Sequence, residues 1–246
     1  MASTIKSGSN NDLYIQTDGV DRIVVDSNGN TSVTGNVGIG TASPTVPLHV
    51  TGSGTFIGGI ESTTAYAYLG LRDLNSGGSM ADPTVGVGAQ TNDLAFRSGG
   101  TERVRIDANG YVTKPYQPSF AASRDAGHVP AATYIVCNIV RHNIGGHYNS
   151  TTGVFTAPVA GRYVISTMFM CNDDSPYANK NYKIQTNGSN YNSAYSSGGP
   201  SNVHHAFSWS GVISLSQSDS VSIWNENLTI YGNSTLYSHF SGYLIG

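Results

Sequence analysis

Seven short apolar runs fill the second half of the chain, separated by turn residues and with no helical stretch between them. They are Tyr134 to Val140, Val154 to Thr156, Tyr163 to Cys171, Tyr182 to Gln185, His205 to Leu215, Val221 to Trp224 and Tyr237 to Ile245. Runs of this length, rich in β-branched and aromatic residues, read as strands. Without crossover helices such strands pair antiparallel, and covering one face of the resulting sheet takes a second sheet. The pattern therefore predicts an antiparallel sandwich or jelly roll. Composition closes the helical alternative: Gly, Ser, Thr and Asn supply 104 of 246 residues and charged residues only 11%. These types favour turns and pleated surfaces over helix faces. The expected fold class is all-β.

The aromatic residues are unevenly placed. Beyond Tyr116 lie five of the seven Phe, both Trp and ten of the fifteen Tyr, and Lys114-Pro115-Tyr116-Gln117-Pro118 reads as a stiff linker. Two domains are expected, residues 1–115 and 116–246, with the core in the second. The first contains an internal repeat. At a shift of 81, Asn11, Asp12, Leu13, Gly19, Arg22, Asp26, Asn28 and Gly29 recur as Asn92, Asp93, Leu94, Gly100, Arg103, Asp107, Asn109 and Gly110, eight identities in nineteen positions. Each copy reads as a short hairpin followed by an Asn-Gly turn. A hairpin of this size cannot bury a face alone, so the repeat points to symmetric association of several chains around a shared axis.

Two resemblances follow from particular residues. Asp21-Arg22-Ile23-Val24-Val25-Asp26-Ser27-Asn28-Gly29-Asn30, followed by Asn36-Val37-Gly38-Ile39-Gly40-Thr41-Ala42-Ser43-Pro44, resembles a motif of bacteriophage tail fibres, with a second partial copy at Glu102 to Tyr111. That likeness implies a β-rich trimeric shaft and virion-attachment region. No counterpart of the intramolecular chaperone often found downstream of such repeats is seen, which leaves trimerisation to the second half. There, Pro118 to Ala122, Asn143 to Asn149 before Gly153 to Tyr163, Phe207 to Leu215 with Asp219 to Val221, and Ser238 to Ile245 resemble the globular head of the complement q-subcomponent family, a jelly roll of the tumour-necrosis-factor superfamily. The likeness implies a trimeric head with Phe155, Tyr163 and Phe240 in its core. It also places Gly161 and Gly242 where strands turn or pack too closely for a side chain.

No constellation of catalytic residues stands out. Gly35 to Gly40 is Gly-rich but no helix follows to aim N–H groups at a phosphate. Nucleophile-elbow, zincin and Cys-x-x-Cys motifs are missing from the sequence. Only Asp173 and Asp174 stand together, and a loop Asp-Asp reads as solvated or as a Ca²⁺ ligand before it reads as an acid/base pair. No cofactor is expected, with a bound Ca²⁺ or other ion at the head left open. His204-His205 and His142 with His147 are the histidine clusters. None has zinc spacing, although one His per chain around a threefold axis could hold a metal. Cys137 and Cys171 read as buried thiols. A net charge of −3 with scattered Lys and Arg argues against nucleic acid. No apolar stretch reaches membrane-spanning length, and the polar segment Met1 to Asn11 does not read as a signal peptide, which implies synthesis in the host cytoplasm.

If the linker and the closing strand share one end of a jelly roll, alternate loops lie at the other: Cys171 to Lys180, Ser196 to His204 and Asn225 to Thr235. Their candidate receptor-binding residues are Asp173, Asp174, Tyr177, Asn179, Asn202, Asn227, Tyr231 and Asn233. Such residues suit adaptable polar recognition with rings to stack on sugars. The expected protein is a non-enzymatic, homotrimeric phage tail fibre, a receptor-binding virion component. It would adhere through a surface polysaccharide and be held by a baseplate or tail protein at its N-terminal region. The alternatives are a purely structural spacer or decoration protein, a glycan depolymerase with an inter-subunit site, and a bacterial or spore-surface protein with the same head.

Overall fold

A computed structural model describes the chain except for residues 1–2, 9–11, 18, 55–57, 73–77, 80–81, 126, 174–179, 197–202 and 232–235. Every named secondary-structure element among the described residues is a strand. The chain divides into two compact units, Met1–Leu69 with Gly88–Thr91, and Gly70–Val87 with Asn92–Gly246.

The first unit opens with β1 (Ser3–Ser7), β2 (Leu13–Thr17), β3 (Val20–Val25) and β4 (Thr31–Val33), hydrogen-bonded in that order. A parallel pair follows, β5 (Val37–Ile39) with β6 (Leu48–Val50), and then β7 (Tyr66–Leu71). After the two-residue strands β8 (Gly78–Ser79) and β9 (Asp82–Pro83) come β10 (Val85–Gln90), β11 (Asp93–Ser98), β12 (Thr101–Ile106) and β13 (Val112–Thr113). These last four join β7 in a sheet of order β13-β12-β11-β10-β7.

The repeat is thus larger than its identities indicate: β1 to β4 and β10 to β13 are the same four-stranded meander. Both hairpins carry a register shift at equivalent points, Ile15/Gln16 and Phe96/Arg97. The recurring aspartates brace the turns. Asp12 Oδ1 accepts from Ser27 N at 2.8 Å and Asp93 Oδ1 from Ala108 N at 3.1 Å. Asp26 Oδ1 accepts from Asn28 N and Asn30 N, and Asp107 Oδ1 from Asn109 N and Tyr111 N, all within 2.8–2.9 Å. The Asn30 side-chain amide, the largest influence, holds the Asp26 carboxyl below the usual carboxylate range. Gly29 and Gly110, at φ 83° and 86°, complete each turn in the left-handed region. The repeat keeps the residues that close its turns together with the strand residues Leu13/Leu94 and Arg22/Arg103.

The jelly roll is built from β14 (Ser119–Ser123), β15 (Thr133–Tyr134), β16 (Ile139–Ile144), β17 (Tyr148–Asn149), β18 (Val154–Thr156), β19 (Gly161–Asp173), β20 (Lys180–Thr186), β21 (Ser189–Ser196), β22 (Val203–Leu215), β23 (Ser220–Asn225) and β24 (Ser238–Leu244). One sheet runs β16-β14-β24-β19-β22. The other runs β17-β18-β23-β20-β21, with β15 also on β23. The apolar run Tyr134 to Val140 is not one strand. Tyr134 pairs with Trp224 in the second sheet and Ile139 with Ser123 in the first, so the stretch between them crosses the core, and Ile135 and Cys137 are buried there.

An aromatic cluster holds the sheets together. Phe120 stacks on Tyr148 at 4.8 Å and on Phe155 at 4.9 Å, and meets Phe240 edge-on at 4.8 Å. Tyr163 adds to it, with Phe155 at 5.5 Å, while Phe169 and Tyr182 pair at 5.0 Å. Each buried phenol has a partner: Tyr148 donates to Cys137 O at 2.9 Å, and Tyr182 shares a 2.7 Å bond with Thr167 Oγ1. Burial pushes the Tyr182 hydroxyl and the Cys137 thiol each up to about 12, and Cys137 packs as a small apolar group in the core. At Gly242 a Cβ would lie 2.7 Å from Ile165 Cδ1 and 2.9 Å from Phe120 Cε1. At Gly161 it would lie 2.7 Å from Leu244 Cδ1. Gly242 is demanded by close approach in the packed core, whereas at Gly161 the nearest atom is the end of the partly exposed Leu244 side chain, which can shift.

Candidate functional site

Register fixes which loops share an end of the sandwich. At one end, Gln117 Nε2 donates to Leu244 O at 2.7 Å, Leu244 N to Pro118 O at 3.0 Å and Arg162 N to Gly246 O at 2.6 Å. The linker and the closing strand therefore meet there. At the other end Asp173 lies opposite Val203, Lys180 opposite Ser196, and Tyr182 opposite Asn225. At this end Ile230 bridges Cys171 of β19 and Val129 of the connection between β14 and β15.

The segment after β23 is anchored from within. Asn225, fully buried, donates Nδ2 to Pro130 O and Leu228 O at 2.8 Å and to Val129 O at 3.3 Å, and accepts from Leu228 N at 2.8 Å. Leu228 and Ile230 are buried behind it. Tyr231 emerges from this anchor with its N–H held by Met170 O at 2.8 Å. Around its ring stand His204 at 4.9 Å, Tyr237 at 5.6 Å and His128 at 5.7 Å. His128 and His204 are exposed, Tyr231 and Tyr237 half-buried. Two phenols and two imidazoles thus form a ring cluster on a fixed base. It offers π-faces together with hydrogen-bonding groups, a surface suited to an amphipathic, hydroxyl-bearing ligand.

Of the residues singled out from the sequence, Tyr231 is the centre of this cluster. Asn227 is engaged in bracing: its Oδ1 accepts from Asn181 N at 2.8 Å and its carbonyl from Lys180 Nζ at 3.3 Å. Asp173 closes β19 opposite Val203. Asp174, Tyr177, Asn179, Asn202 and Asn233 lie outside the described residues. Among the described residues no three His, Cys, Asp or Glu side chains converge as a metal site. His204 was legible only as half of a His-His pair. Strand alternation separates the two, turning His205 toward the side of Phe207 and leaving His204 outward beside Tyr231. His128 and Tyr237 carry no local signal, because they reach Tyr231 from separate connections.

The family model of the C1q domain matches residues 119–245. The chain belongs to the C1q-domain family. Its C1q domain is similar to three solved structures in particular. The globular domain of zebrafish complement 1qA protein is 18% identical, covers 53% of this chain and 98% of its own, and has a TM-score of 0.45. Eiger TNF from S. frugiperda is 8% identical, with 54% and 94% covered and a TM-score of 0.43. Murine APRIL, in its crystal structure at pH 5.0, is 12% identical, with 52% and 99% covered and a TM-score of 0.43. No curated protein matches in sequence. In this C1q domain the Tyr231 cluster lies at the end of the sandwich away from the linker.

Proposed function

We propose that the protein is a homotrimeric bacteriophage tail fibre whose C1q domain adheres to the host cell surface through a glycan. The observation that carries adhesion is the ring cluster of Tyr231, His204, Tyr237 and His128 at the end opposite the linker. Rings held on a buried anchor can stack on a sugar face with little ordering cost, and the phenols and imidazoles offer partners to its hydroxyls. No covalent step is required.

Assembly is supported by two kinds of surface. Strand alternation sets Ala121, Ser166, Met168, Ser208, Ser210 and Val212 on the outer side of the first sheet, with no charge among these six. In the first meander Leu13 faces Val25 and Ile15 faces Ile23. In the second Leu94 faces Ile106 and Phe96 faces Val104. Leu13 and Leu94 are 44% and 42% exposed, so equivalent apolar faces stand open in both copies. A threefold arrangement would bury such matched surfaces. The tail-fibre setting, with the N-terminal region held by a baseplate or tail protein in the virion, is supported by the segments Asp21 to Asn30 and Asn36 to Pro44. Three weak sites on one trimer would bind a repetitive host glycan by avidity.

Replacement Tyr231→Ala tests the reading in an adsorption assay on host cells. Adsorption is expected to fall by about tenfold or more, since three linked sites each lose a stacking contact. Unchanged adsorption by a protein of unchanged mass would overturn it and leave the head a spacer.

A further inference from the structure

The outer side of the second sheet differs chemically from that of the first. Alternation turns Tyr182, Ile184, Val221 and Ile223 into the core and leaves Lys183, Trp224 and Ser193 in one transverse row, because Lys183 lies opposite both of the others. Tyr134 extends the row, its ring 5.0 Å from that of Trp224. Glu226 Oε2 accepts from Lys183 Nζ at 2.7 Å and from Trp224 Nε1 at 3.0 Å. The Lys183 hydrogen bond, the largest influence, holds the Glu226 carboxyl below its ordinary range. Ammonium and carboxylate therefore neutralise each other.

Beside this row the β20–β21 hairpin opens into a groove of about 310 Å³ lined by Lys183, Asn190, Tyr191, Asn192 and Ser193. A register shift shapes it. Ile184 lies opposite Asn192 and Gln185 opposite Asn190, so Tyr191 is the extra, unpaired residue, and a bulge re-aims the side chain it carries. The Tyr191 ring, 48% exposed, stands edge-on to Trp209 at 6.4 Å, with its hydroxyl donating to Val212 O at 3.4 Å. Asn190 is fixed by Gln185, which is 8% exposed and donates Nε2 to Asn190 Oδ1 at 3.0 Å. The Asn190 Nδ2 is left as a donor. Gln185 is not itself one of the lining residues, and its Oε1 is buried with no hydrogen-bond partner among the described residues, a condition that native folds relieve with a water.

We propose that this groove binds a neutral pyranose unit of a glycan, with Tyr191 stacked on the apolar face of the sugar and Asn190, Asn192, Ser193 and Lys183 meeting its hydroxyls. Charge decides the class. Lys183 is the one ionic group among the five lining residues, and Glu226 already neutralises it, so a carboxylated or sulfated sugar finds no unpaired cation. The proposal rests on the adhesive reading of the head but assigns a separate site, beside the β20–β21 turn and at the opposite end of that hairpin from the Tyr231 loops.

The test is saturation-transfer NMR on the full chain with four probes: the methyl glycosides of glucose, galactose, mannose and N-acetylglucosamine. At least one is expected to show transfer. In a Tyr231→Ala background, which removes the ring cluster's own contribution, Tyr191→Ala, and independently Ser193→Arg, which fills the groove from an edge strand, are each expected to weaken the transfer about tenfold or more. No transfer from any of the four, or transfer that survives both groove variants, overturns the proposal. The two readings fail separately. A protein that adsorbs to cells yet takes up none of the sugars loses the groove and keeps the adhesive function. One that binds a sugar at the groove yet adsorbs to no cell keeps the groove and loses the function.

Discussion

Asn225 shows how a single amide can set a recognition surface. From the sequence it begins a polar loop, and its composition suggests ligand contact. In the fold it is fully buried, and four hydrogen bonds spend it on the chain around it. A polar residue in a loop is read as solvent-facing because nothing local reveals that Val129, Pro130 and Leu228 will converge on it. Asn225→Ala removes all four bonds; Pro130 O keeps Thr133 Oγ1 and Val129 O keeps Ile230 N, but the buried Leu228 N–H and carbonyl lose the side chain they bond, a loss of about 3 kcal/mol on the usual scale for buried orphaned groups. Urea denaturation is expected to show a loss of that order, and a loss under about 0.5 kcal/mol would mean the loop is anchored by Leu228 and Ile230 alone. Gly242 is the complementary case: its lack of a side chain is dictated by Ile165 and Phe120 pressing against it.

At the scale of elements, strands were legible where one face is strongly apolar. The runs at Val154 to Thr156, Tyr163 to Cys171, Tyr182 to Gln185, His205 to Leu215 and Val221 to Trp224 fall on β18, β19, β20, β22 and β23, and the run Tyr237 to Ile245 overshoots β24 by one residue at each end. The edge strand β21 was not legible. Its sequence Ser-Asn-Tyr-Asn-Ser-Ala-Tyr-Ser buries only Ala194 among its described side chains, so no alternation announces it. The proposed sugar groove lies on that strand, which is why sequence reading looked for ligands only at the loops. The same physics explains the repeat: eight identities marked a hairpin, while β4 and β13 were too short and polar to be seen as its continuation. Because Asp107 closes the second Asn-Gly turn through two backbone N–H groups, Asp107→Ala should raise amide exchange at Asn109 and Tyr111 by about tenfold. Equal protection in both proteins would show that the turn is held by its backbone bonds alone.

At the scale of the molecule, the chain joins open apolar meanders to a jelly roll whose two outer sides are unlike. One is small and uncharged at Ala121, Ser166, Ser208 and Ser210. The other carries Trp224, Lys183, Glu226 and Tyr191. A surface of the first kind suits burial against copies of itself, and one of the second kind suits ligands. The division matters for adhesion, because sites on the outward side and at the Tyr231 end would be displayed three at a time and could engage a repeating glycan together. Everything in that account depends on the number of chains in the particle. Light scattering of the purified full-length protein gives its mass directly: three times the 25.8 kDa of one chain is the predicted result, and a monomer would contradict it.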